Sequence, residues 1–232
     1  MSFSLEIERA GGRSGELVLR RGPAGLEVIA NGVFLVSAAN AASSRALVQA
    51  AWPHVRGEAL RVLIGGLGIG DALDEALACE RVAEVTVAEL EPVILRWFRE
   101  HGGEPARRVA EAERAGRARV VVADVLDLLD GGEAWDVVAL DTDNGPEWLV
   151  RGENAGLYAP SGLQRVYGAL RPGGAAVFWS PERYPLFEGD LADAFDDVAR
   201  ATAVDVVDGR AHEYTMYIAR RDGGGARPGA VD

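Results

Sequence analysis

The sequence predicts an α/β fold, built on a mostly parallel sheet with helices on both faces and preceded by a small antiparallel β element. Three observations carry this. From Arg61 onward, unbroken apolar runs of strand length alternate with stretches of helical period, the pattern of strands buried on both sides and joined by crossover helices. The first 40 or so residues read instead as short strands joined by glycine turns. A chain of 232 residues with 48% hydrophobic content also suffices for one substantial core.

Strands are expected at 4–10, 15–21, 26–30 and 33–38, with Asn31-Gly32 between the last two. Both residues tolerate positive φ, so Asn-Gly between alternating apolar runs is the strongest short-range hairpin signal. From Ser43 the spacing of Ala46, Leu47, Ala50 and Ala51 predicts a helix that Pro53 ends. Strands at 62–66, 85–90, 119–124, 135–141 and 175–180 then alternate with helices at 71–78, 92–101, 105–115 and 161–171. A last helix is expected over 193–201, followed by two closing antiparallel strands at 203–209 and 213–221. The organisation predicted is a β-hairpin element over 1–42, one α/β nucleoside-binding domain over 43–222, and a Gly- and Pro-rich tail over 223–232 that is expected to be disordered.

Composition narrows the function classes. The formal charge of −12 and the absence of a basic stripe argue against nucleic-acid binding. No apolar run reaches the ~20 residues that span a bilayer, and Met1 is not followed by a basic and then an apolar stretch, so a cytoplasmic protein without membrane association is expected. All 24 basic side chains are arginine, which removes lysine Schiff-base and general-base chemistry. His54, His101 and His212 lack metal-ligand spacing and no metal site is expected. The single cysteine, Cys79, reads as a small buried hydrophobe.

The chemistry-bearing residues fall at the ends of successive strands. Gly66, Gly68 and Gly70 form a turn between a strand and a helix, where the backbone can approach a ligand and the helix start offers N–H groups. Alone, this turn fits a dinucleotide equally well. Glu89 ends the next strand roughly 20 residues on, where a carboxylate accepts hydrogen bonds from ribose hydroxyls. Asp124, followed by Val125, ends the third strand, where an acid can meet an adenine amine or cap the next helix. The turn Asp141-Thr142-Asp143-Asn144-Gly145-Pro146 follows the fourth. Because open parallel sheets carry their ligand crevice at the carboxyl ends of strands, all of these are expected to face one pocket. Of the two carboxylates in the acidic turn, one can orient a cation or an acceptor while the other takes a proton.

These residues resemble the spermidine/spermine synthase family, a branch of the class I S-adenosylmethionine-dependent methyltransferase superfamily, over about Arg61 to Ser180. The family's glycine turn corresponds to 65–70, its ribose-binding acid to Glu89, its adenine-contacting acid to Asp124, and its acidic substrate loop to 141–146. The stretch from Asn154 to Tyr158, and the Leu170-Arg171-Pro172-Gly173-Gly174 turn, are similar as well. The resemblance implies a Rossmann-like fold, S-adenosylmethionine or its decarboxylated form as co-substrate, and a homodimer paired through the N-terminal β element. It also implies Asp143 as the catalytic acid/base, with Asp141 beside it and Tyr158 as a hydrogen-bond partner, although Asn144 competes for the place of Asp143. Where the family carries an aspartate inside the glycine turn to hold the aminopropyl amine, this chain has Gly68 and Ile69, with Asp71 the nearest acid. The family's Tyr-His-Glu segment has no counterpart, and Arg45 stands near its place.

The function expected is transfer of a methyl or aminopropyl group from a sulfonium donor to a small-molecule acceptor, an amine among them. True polyamine aminopropyl transfer, with Asp71 as the amine anchor, is one alternative. A noncatalytic nucleoside-binding or interaction protein, with Trp148, Phe178 and Trp179 serving a partner surface, is another. A nicotinamide dehydrogenase ranks below these, because nothing after Glu89 supplies a hydride-transfer site.

Overall fold

A computed structural model describes residues 4–132, 134–142, 155–207 and 209–223. Among these, eleven strands form two sheets. The first, in the order β1-β2-β3-β4, is antiparallel and comprises β1 (Leu5–Gly12), β2 (Gly15–Arg21), β3 (Leu26–Ala30) and β4 (Val33–Ser37). The Asn-Gly hairpin forms as expected: Asn31 and Gly32 both take positive φ, 49° and 82°, and the Asn31 carboxamide bridges back to the β1–β2 turn.

A 3-10 turn at Ala38–Asn40 leads into α1 (Ala41–Gln49), which starts two residues before the expected Ser43. The second sheet then follows: β5 (Leu60–Gly65), α2 (Asp71–Ala78), β6 (Val82–Glu89), α3 (Pro92–His101), α4 (Gly103–Arg114), β7 (Ala118–Val122), α5 (Val125–Asp130), β8 (Trp135–Leu140), α6 (Ala155–Tyr158), α7 (Pro160–Ala169), β9 (Leu170–Ser180), α8 (Pro185–Ala194), β10 (Asp197–Val207) and β11 (Arg210–Arg220). Its strand order is β10-β11-β9-β8-β5-β6-β7. β5 through β9 pair in parallel, and β11, antiparallel to both β9 and β10, is the one described strand of this sheet that runs opposite to the rest. The predicted class is observed: a mostly parallel central sheet flanked by helices, with a small antiparallel sheet before it.

Strand parity divides the core. Val62, Ile64, Val137, Ala139 and Val177 face one layer with α1, α2 and α4, whereas Leu63, Val138, Leu140 and Phe178 face the other with α5, α7 and α8. Alternate side chains of a strand point to opposite faces, so continuous apolar runs are what a sheet covered on both sides requires. The last helix departs from expectation. It lies at 185–194, and most of 193–201 is the start of β10. The alanines of this segment favour a helix, but pairing with β11 from Asp197↔Arg220 to Val207↔Arg210 overrides them, because strand stability follows neighbours more than composition.

Two carboxylates hold the N-terminal third to the main sheet. Asp205 on β10, 3% exposed, accepts from the N–H groups of Ala42 and Ser43 at 3.0 and 3.1 Å. It therefore supplies the N-terminal acceptor that α1 lacks on its own, since Asn40 makes no side-chain cap. Glu91, also 3% exposed, accepts from the N–H groups of Arg13 and Ser14 in the β1–β2 turn at 2.8 and 2.6 Å. Above it, Val93, Ile94 and Trp97 of α3 pack on Leu17, Leu19, Val28 and Ala30.

Asp205→Ala strands two donors at a helix start and is expected to lower stability by about 2 kcal/mol, read as a shift in the urea midpoint at constant slope. Glu91→Ala is expected to loosen the β1–β2 turn selectively. Amide exchange at Arg13 and Ser14 should accelerate while the strands β5 and β8 keep their protection.

Candidate functional site

The chain passes from β5 to β6 and β7 on one side, then returns to β8 on the other. The carboxyl ends of β5 and β8 therefore form the switch point at which an open α/β sheet leaves a crevice. The glycine turn after β5 and Asp141-Thr142 after β8 sit side by side there, with the Asp141 N–H donating to the Gly65 carbonyl at 3.0 Å. A cleft enclosing about 1140 Å³ of empty space, counted out to its open mouth, lies above them.

The cleft brings together most of the residues expected from the sequence. Gly66, Gly68, Asp71, Glu89, Asp124, Val125 and Asp141 all line it. Asp143 and Asn144, like Trp148, lie outside the described residues. Tyr158 takes a different place: its ring packs against Phe187 and Phe178, with centroids 5.6 and 6.4 Å away, and it is 6% exposed in the aromatic core. Its neighbour Leu157 is the wall residue. Phe178 is fully buried, and Trp179 packs on Tyr214 at 5.1 Å. Cys79 follows α2, partly buried against the core.

Packing explains the glycines as much as room for a ligand does. Gly66 has φ 96°, and a Cβ there would lie 2.5 Å from the Asp141 carbonyl oxygen, so the turns after β5 and β8 could not close on each other with any other residue. Gly70, at φ 91°, is not a wall residue. A Cβ on it would meet the Phe98 ring at 2.3 Å, and its role is to let α3 pack against the start of α2.

Glu89 is 5% exposed. Its Oε2 accepts from the Leu67 N–H at 2.9 Å and its Oε1 from the Glu91 N–H at 2.8 Å. Burial raises its pKa, against the opposing pull of these backbone donors. An ionised carboxylate has about four acceptor positions, so capacity remains for hydroxyl donors in the cleft. Asp124 accepts from the Leu126 N–H at 2.9 Å as the N-cap of α5 and is also a wall residue of the cleft. Burial pushes the Asp141 carboxyl up to about 6, which suits it to exchange a proton near neutral pH.

At the start of α2, Asp71 lines the cleft, whereas Asp74, also in the first turn but not a wall residue, is held by the Arg108 guanidinium at 2.8 and 2.5 Å. Burial raises the pKa of Asp71, opposed by the guanidinium of Arg45, which donates to Asp71 Oδ1 at 2.8 Å. The N-terminal β element supplies wall residues that sequence reasoning did not place here: Ser14, Ala30, Leu35 and Val36. Away from the cleft, Glu8, Glu100 and His101 come close enough to share an ion, but the Arg96 guanidinium already pairs with both glutamates.

No protein-family model and no curated protein sequence matches the chain. Solved structures do match in fold. The chain is similar to the crystal structure of spermidine synthase in complex with the transition state analogue AdoDATO, with a TM-score of 0.71 at 17% identity, covering 94% of this chain and 75% of that one. It is similar to spermidine synthase from Thermotoga maritima with a TM-score of 0.67 at 16% identity, covering 94% of this chain and 74% of that one. At these identities the likeness is one of fold, and the fold this chain shares is that of the spermidine synthases.

Proposed function

We propose that the protein is an S-adenosylmethionine-type group transferase that moves a methyl or aminopropyl group from a sulfonium donor to a small-molecule acceptor. The observation that carries this reading is a cleft at the start of α2 whose wall carries Asp71, Glu89, Asp124 and Asp141 and, among the described residues, no basic side chain. A dinucleotide would place its pyrophosphate at that helix start. Two unit charges of like sign 4 Å apart repel by roughly 4 kcal/mol at an effective dielectric of about 20, so a wall of carboxylates with no basic side chain disfavours that ligand. The same charges favour a cationic one.

The residues present fit an adenosyl sulfonium. Glu89 would accept from the ribose hydroxyls, Asp124 from the adenine amine, and Asp71 would face the cationic tail. When bound, such a donor supplies an alkyl carbon whose bond to sulfur breaks with the electron pair returning to sulfur, as the lone pair of the acceptor forms the new bond. The protein's share is to align the two reactants, exclude water and receive the proton that the acceptor gives up. Asp141 is the described carboxylate suited to that last role, and Asp143, two residues further on, is the base that the sequence points to. The partly buried Asp71 also favours a second reading, true aminopropyl transfer to a polyamine with Asp71 holding the donor amine.

Methylthioadenosine, which has an uncharged tail, tests the nucleoside site by calorimetry. Glu89→Gln is expected to weaken its binding about 10- to 100-fold, the loss of a hydrogen bond to a charged acceptor. Tight binding of NAD with no binding of methylthioadenosine would overturn the reading. Because proton transfer needs the ionised carboxylate, turnover is expected to rise with pH through about 6 and then level. That limb should vanish in Asp141→Asn; a limb that survives there and vanishes in Asp143→Asn would assign the base to Asp143.

A further inference from the structure

We infer that Arg45 and Asp71 together form a receptor for a zwitterionic α-amino-acid tail, so that the donor is the carboxylated sulfonium and the decarboxylated form is discriminated against. This rests on the nucleoside-site reading above and specifies which donor that site takes.

Asp71 belongs to the wall of the cleft, and Arg45 adjoins it from α1. Asp71 opens α2 and lines the cavity, with its side chain 14% exposed, and Ser44, the residue before Arg45, lines it too. Arg45 is 47% exposed, and its Nη2 donates to Asp71 Oδ1. A guanidinium carries five N–H donors, and among the described residues Asp71 is its one hydrogen-bonding partner. Asp71 Oδ2 likewise has no donor among the described residues. One side of the pair can therefore accept an anion and the other a cation without breaking the bond between them.

The position of Arg45 is fixed by the fold. Asp205 caps α1 from β10, and Gln49 on the same helix donates to Glu75 of α2 at 2.9 Å, which ties the two helices together one turn beyond the pair.

The charges decide between donors. An intact tail brings an α-carboxylate for the free N–H groups of Arg45 and an α-ammonium for Asp71, adding two charge-assisted bonds to a pair that stays neutral overall. A decarboxylated tail brings only the ammonium, which must share Asp71 with Arg45 and sits beside a second cation. Since the aminopropyl group comes from the decarboxylated donor, this arrangement selects against aminopropyl transfer.

Calorimetry on the full chain with S-adenosylhomocysteine, S-adenosylmethionine, decarboxylated S-adenosylmethionine and methylthioadenosine tests the inference, using the wild type, Arg45→Ala and Arg45→Gln. The wild type should bind S-adenosylmethionine at least about tenfold tighter than its decarboxylated form. Both variants should weaken S-adenosylmethionine and S-adenosylhomocysteine about 10- to 100-fold while leaving methylthioadenosine unchanged. A wild-type preference for the decarboxylated donor would overturn the inference. So would an unchanged donor ratio in both variants when methylthioadenosine still binds. If methylthioadenosine fails to bind even the wild type, the nucleoside-site reading falls, and this inference falls with it.

Discussion

The carboxylate of Glu89 is the interaction on which the cleft depends. It is buried at the end of β6, and it spends two of its acceptor positions on the backbone, holding Leu67 in the glycine turn and Glu91 at the start of α3. Glu91 in turn holds Arg13 and Ser14. A chain of hydrogen bonds thus runs from the β5 turn through two glutamates to the N-terminal sheet, and three walls of the cleft share one support. A buried carboxylate is costly to desolvate and persists where several donors compensate it. Here the compensation and the shape of the site come from the same bonds.

The acids around the cleft divide by what they touch. Glu89 and Asp124 are already bonded to backbone N–H groups, so each is held in place before any ligand arrives. Asp71 is bonded to a guanidinium instead, and Asp141 takes its raised pKa from burial. Acceptors held this way are suited to orient a rigid ligand, whereas a carboxylate whose pKa burial raises toward neutrality is suited to exchange a proton.

Much of this was legible from sequence because it is local. Helices 71–78 and 92–101 were read to the residue, since Gly70 and Pro92 mark their starts and the apolar spacing continues unbroken. Glu89 was legible as a strand end, and Asp124 and Asp141 as acids just past theirs, because each closes an apolar run, although β7 stops at Val122, two residues before Asp124. What escaped depends on distant partners. Glu91 reads as an ordinary residue before a proline, and its donors lie 77 and 78 positions away. Gly70 looked like a ligand glycine because the Phe98 ring that excludes a side chain is on another helix. Tyr158 looked available for catalysis, and only the folded arrangement shows Phe178 and Phe187 around it.

The bond from Asp205 to the start of α1 spans 163 residues. It also imposes an order of events on the ribosome. The sheet from β5 to β9 can begin to assemble as it emerges, but α1, with Ser44 and Arg45 on it, has no cap until β10 has been synthesised. Long-range contacts of this kind form late and slow folding. A nascent chain halted before residue 205 would carry a nearly complete parallel sheet and a cleft with one wall still unfastened, so the cleft is completed only in a late step of synthesis.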